Sequence, residues 1–154
     1  MSKLFVFVHV LSAIVWIGGS IAVKALSGRI AQTNDRALIT AFGNETEFVG
    51  TRVFAPASGL LFLSGVATVF AESPALFKQT WVALGVVGWI LVAGIGGGIL
   101  GPQSQRLKRV VADSGPDHPD VRRISRRIDR LTRVELTLFV LLIADMVFKP
   151  GMTR

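Results

Sequence analysis

Charged and apolar positions are segregated along this chain into long blocks. Residues 4–23, 53–71 and 79–105 contain no Asp, Glu, Lys or Arg, and dense charge clusters lie between them. Crossing a hydrocarbon core of roughly 30 Å takes ~20 helical residues, so each block predicts a transmembrane helix. A fourth apolar run, residues 134–148, is shorter and carries Glu135 and Asp145. It spans if its helix begins earlier and the flanking arginines snorkel. The expected spans are about 4–26, 53–71, 80–101 and 131–148. The first block is longer than the ~7–15 apolar residues of a signal-peptide core, which predicts a retained helix.

The connections have patterns of their own. Thr33 and Asn34 offer a helix N-cap, and Leu38, Phe42, Val49 and Val53 follow near helical spacing. These predict an amphipathic cytoplasmic helix on the membrane surface that runs into the second span, with Pro56 near its start. A short turn joins spans two and three. Before the fourth span, Val121, Ile124, Ile128 and Leu131 recur at helical spacing, ringed by Arg122, Arg123, Arg126, Arg127 and Arg130. Pro119 suits the first turn of such a helix. This predicts a basic helical extension of span four, either meeting anionic lipid head groups, at about 1 kcal/mol per arginine, or docking a partner protein. The expected architecture is all-α and polytopic: one domain over residues 1–154, with four transmembrane helices in an antiparallel bundle.

Charge fixes the orientation. The first and third connections hold thirteen Lys and Arg residues, against four in the amino terminus, second connection and carboxyl terminus together. Positive residues collect on the cytoplasmic side, so both termini are expected to be extracytoplasmic in a multi-pass protein of a bacterial inner (cytoplasmic) membrane. A net charge of +7 and a pI near 11.1 raise nucleic acid as a partner. Here the basic residues flank spans and no nucleic-acid motif accompanies them, so no nucleic acid is expected. The absence of cysteine excludes thiol redox chemistry, disulfides and Cys-based metal sites.

Ionisable side chains in lipid are costly and mark either packing pairs or function. His9 lies six residues from Lys3, ~9 Å along the helix, and Asp145 four residues from Lys149, ~6 Å. Both are expected in the outer half of the membrane, facing each other. Glu135 is expected near the inner face, neutralised by Arg133, Arg52 or another loop arginine. His9, Ala13, Trp16 and Ser20 share one helix face. His9 reads as a hydrogen-bonded packing residue, a proton relay, or a haem or metal ligand. In the ligand reading His9, Trp16 and Asp145 form the cofactor-binding set and His9 is the metal ligand. A copper site would draw on Met1, Met146 and Met152 beside His9 and Asp145. Gly94, Gly97, Gly98 and Gly101 lie along one face of span three, where they allow close approach of a helix or a flat cofactor. Ser58, Gly59, Ser64 and Gly65 in span two fit the same packing role. There is no P-loop, no H-E-x-x-H and no nucleophile elbow.

Three stretches carry a resemblance: "HVLSAIVWIGGS" in span one, "RVFAPASGLLFLSGV" leading into span two, and the terminal "ADMVFKPG". With them the chain resembles the predicted integral membrane proteins of domain-of-unknown-function family 2269, over all four spans. That family is distantly similar to the membrane domain of copper-resistance protein D and to HemJ-type protoporphyrinogen oxidases, which also open with a histidine followed by a Trp-x-Gly-like turn. The resemblance implies His9 as an axial ligand for haem b or a metal ion. HemJ-type proteins also use a lysine in a later span, and residues 79–105 contain none, so porphyrinogen oxidation is not assigned. Three functions follow as alternatives: a haem- or metal-binding membrane protein, a non-catalytic accessory or structural subunit of a homo-oligomer or larger membrane complex, and a small transporter.

Overall fold

The computed structural model describes residues 2–33 and 35–151. It is all-α, with no strand among the described residues. Three helices are long and apolar enough to cross a membrane: α1 (Lys3–Ala31), α2 (Arg36–Glu72) and α3 (Thr80–Ser114). The fourth, α4 (Pro119–Phe148), is 30 residues long. A short 3-10 turn, Pro74–Lys78, joins α2 to α3.

The helices start and stop for local reasons. Asp35 caps α2, its carboxylate accepting from the backbone N–H groups of Ala37 and Leu38 at 2.9 and 3.1 Å. The cap is therefore not Thr33. Thr33 closes α1 instead, donating its hydroxyl to the Ile30 carbonyl at 2.7 Å. Asn34, the other expected cap, lies outside the described residues. At α4 the His118 ring accepts from the Asp120 N–H at 3.3 Å and Pro119 occupies the first turn. Gly115, at φ 86°, ends α3, and Lys149, at φ 44°, ends α4 just before Pro150.

The helices outrun their apolar cores. At 1.5 Å per residue, the 37 residues of α2 and the 35 of α3 extend roughly 55 Å, against roughly 30 Å of hydrocarbon. The segment expected to form a surface helix running into span two is continuous with it in α2 and packs along the last turns of α3. Lys108 donates to Asn44 at 2.7 Å and to Glu47 at 2.5 Å, and Gln105 donates to Glu47 at 3.1 Å. Gly43 makes room for the Lys108 stem, since a Cβ there would fall 2.7 Å from its Cδ. On the other side of this polar end an ion pair between Lys24 and Asp129 ties α1 to α4.

Each helix meets its neighbours antiparallel. Position 19 packs against Phe54 and position 65 against His9, while positions 85, 88 and 96 pack against Met146, Leu142 and Glu135. The Trp89 indole donates to the carbonyl and hydroxyl of Ser58 at 3.1 and 3.2 Å, joining α3 to α2. The core takes one buried residue from each helix: Trp16, Ala57, Val92 and Phe139. Phe62 and Trp89 stack beside it with centroids 4.3 Å apart. A second cluster, Val69, Trp81 and Val82, packs with Leu76 and Met146. Within α1, α2 and α3 the segments Ile14–Gly18, Gly50–Phe54 and Gly94–Leu100 are π-helical.

Candidate functional site

His9 stands on the seam between α1 and α2. Its Nδ1 lies 2.8 Å from the carbonyl oxygen of Leu61. A carbonyl only accepts, so Nδ1 carries the hydrogen, the tautomer in which an uncharged ring has Nε2 bare. The ring approaches this closely because position 65 is glycine: a Cβ there would stand 3.0 Å from His9 Cε1 and 3.1 Å from Nδ1. The Ser64 hydroxyl shares the same acceptor, donating to Leu61 O at 3.1 Å and to Leu60 O at 2.5 Å.

Asp145 sits elsewhere, on the α3–α4 seam beside Gly85. Both of its carboxylate oxygens are buried and have no hydrogen-bond partner among the described residues. The expected pairing of His9 with Asp145 is therefore not formed. Equal depth places two residues at one height in a bundle, but helix rotation decides which seam each faces. The nearby Trp81 indole nitrogen is also buried and unpartnered, and the Lys149 ammonium lies 5.1 Å from the centre of the Trp81 ring. Trp16 belongs to the four-helix core, edge-on to Phe139. His9, Trp16 and Asp145 thus occupy three separate places.

The copper set fares similarly. Met146 packs its methyl against Gly85, and Met1 and Met152 lie outside the described residues. Among the described residues no three His, Cys, Asp or Glu side chains gather to hold a metal ion. Two concavities on the surface are lined by residues other than His9. One, of about 560 Å³, is lined by Pro119, Arg122, Arg123, Arg126, Arg127 and Arg130. The other is lined by Arg36, Ala37, Thr40, Ala41, Asn44 and Ala112. None of the five arginines of the first forms an ion pair among the described residues.

Glu135 is the residue whose setting the sequence concealed. It is buried, with Oε1 against the glycine backbone of α3 at Gly96. The expected neutralising arginine is absent among the described residues, and Arg133 donates instead to the Asp129 carbonyl at 3.3 Å. The glycines also divide unexpectedly. Gly85, Gly88 and Gly96 receive α4, whereas Gly94, Gly97 and Gly98 face open space. In span two, Gly65 receives His9 and Gly59 has no neighbour.

The match that places this chain among known proteins runs over residues 3–150, to a family described as predicted integral membrane protein (DUF2269). The chain belongs to the DUF2269 family. The matched region takes in α1 through α4, so His9, Glu135, Asp145 and the arginine concavity all lie within the DUF2269 region. No curated protein and no solved structure matches the chain. The similarity to copper-resistance protein D and HemJ-type proteins expected from the opening motif is not shown by these matches.

Proposed function

We propose that this DUF2269 protein is a four-span, non-catalytic structural or accessory subunit of a bacterial cytoplasmic membrane, with both termini extracytoplasmic, that grips anionic lipid through its inner arginine face. The fourth span is supported by α4 itself: Val140, Leu141, Ile143, Val147 and Phe148 face outward, an apolar belt like those of the other three helices. Orientation is supported by the thirteen-to-four distribution of Lys and Arg. The observation that carries the function is the concavity lined by five arginines that form no ion pair among the described residues. Arg130 lies four residues before the apolar run that begins at Val134, or ~6 Å along the helix, and Arg122 ~18 Å. The head-group layer is roughly 5–8 Å deep on each side, so Arg130 lies within it, Arg127 and Arg126, ~10 and ~12 Å out, reach back to it with their long side chains, and Arg122 and Arg123 face the cytoplasm beyond. The test is lipid retention in nanodiscs of mixed zwitterionic and anionic phospholipid. Wild type should enrich anionic lipid in its boundary shell, and the variant with Arg126, Arg127 and Arg130 changed to Gln should lose that enrichment. Equal shells for both proteins would end this reading.

A second reading has one observation in its favour. The His9 Nδ1–H held by the Leu61 carbonyl is the arrangement that orients ligating histidines and leaves Nε2 for a metal. Among the described residues no cluster of further ligands gathers at His9, so haem b or a metal ion would draw its remaining ligands from a second chain. The visible spectrum of protein purified from haem-replete cells, compared with His9→Ala, tests this. A Soret band lost in the variant supports it, and a colourless, metal-free wild type removes it.

A further inference from the structure

We propose that Glu135 and the π turn of α3 form an intramembrane proton-binding site that opens toward the polar end of the bundle. Glu135 is only 5% exposed and makes no ion pair among the described residues. A Cβ at position 96 would stand 2.8 Å from its Oε1, so the carboxyl leans directly on the Gly94–Leu100 turn. A π turn interrupts the regular i→i+4 ladder, and such turns concentrate at functional sites. Its displaced carbonyls are acceptors for an acid proton.

The charged groups around Glu135 are accounted for helix by helix. On α1, Lys24 is engaged by Asp129. On α2, Arg52 is exposed, and on α3 the Gly94–Leu100 turn carries no titratable side chain. On α4 itself, Arg133 is exposed and turned to the Asp129 carbonyl, and Asp145 lies ten residues away. A bare carboxylate in such a place is costly, whereas a carboxylic acid that donates its proton is not. A metal cation would demand several oxygen ligands, and the described residues gather no such group. A proton needs one carboxylate. One turn farther along α4 from Glu135, Phe139 is 2% exposed and packs with Val92, at 0%, and Trp16. This apolar plug seals the site from the Asp145 end, so exchange runs through the Thr132–Arg133 side.

Dicyclohexylcarbodiimide, which reacts with protonated carboxyls in apolar surroundings, is the probe. Applied to the full-length protein in nanodiscs, with peptide mapping, it should label Glu135. Above the midpoint of the site, labelling should fall about tenfold per pH unit, and added sodium or potassium should leave it unchanged. In infrared difference spectra the protonated-carboxyl component lost in Glu135→Gln should persist in Asp145→Asn. Wild-type labelling needs no variant, so a poorly folded Glu135→Gln leaves the test intact. Folded wild-type protein left unlabelled at Glu135 across the acid range would overturn the proposal, as would protection by sodium.

Discussion

Trp16 and Phe139 meet edge to face, with ring centroids 5.0 Å apart and planes at 84°. They belong to the first and last helices, so this contact closes the bundle around Ala57 and Val92. Truncating a buried aromatic costs about 3–5 kcal/mol through lost contacts and the cavity left behind. Phe139→Ala should therefore lower the unfolding midpoint in mild detergent severely. Val140→Ala, one residue on and facing outward, should leave it nearly unchanged. Equal losses would show that the contact does not hold the bundle.

Gly65 sets the distance between α1 and α2. A valine there places carbon where the His9 ring stands and should break the His9–Leu61 hydrogen bond. The cost should be about 1–3 kcal/mol. His9→Ala should relieve the clash, making the double variant more stable than Gly65→Val alone. Purely additive effects in thermal unfolding would argue that the two positions do not meet.

Glu47 precedes the apolar run of α2. Its carboxyl sits below the ordinary value of 4.5, chiefly because Lys108 donates a hydrogen bond to it and, second, through the charge of Lys108. A folded-state value below the unfolded one stabilises at higher pH: the contribution is fully present above the ordinary value and lost as pH falls through the lowered one. The pair is exposed, so the effect is small. Lys108→Ala should lower stability slightly at neutral pH and flatten the acid limb, so that the variant and wild type converge as pH falls below ~4.5. An unchanged acid limb would discount the pair.

Topology is read with reporter fusions. Fusions at Gly151 and at Asp113 should report opposite sides of the membrane, with Asp113 cytoplasmic, as the Lys and Arg distribution requires. A cytoplasmic signal at Gly151 would invert the arrangement.

The apolar blocks at residues 4–23, 53–71 and 79–105 identified three helices directly, because burial in lipid leaves a compositional mark. They did not give the helix ends. The change from apolar to polar marks where the surroundings change, whereas helix ends are set by Asp35, Gly115 and Lys149. Rotation about each helix axis was the least legible quantity. Span three has glycines on two faces, and composition cannot say which receives α4. His9 had a hidden partner for a related reason. The Leu61 acceptor is a backbone carbonyl, which every residue has. Glu135 and Asp145 stood out as ionisable groups in apolar sequence, but that among the described residues Glu135 makes no ion pair and the Asp145 oxygens have no hydrogen-bond partner is visible only in three dimensions.

The π turns act as phase shifts. An α-helix advances ~100° per residue, and a π turn accommodates an additional residue within that winding. In α1 the turn at Ile14–Gly18 lies between His9 and Lys24. The face that reaches Leu61 and the face that reaches Asp129 are thus aligned by that offset. Removing one residue from the regular winding between the turn and Lys24 would instead swing everything beyond it by about 100°. His9 would stay docked while Lys24 turned away from Asp129, leaving the two ends of α1 out of step.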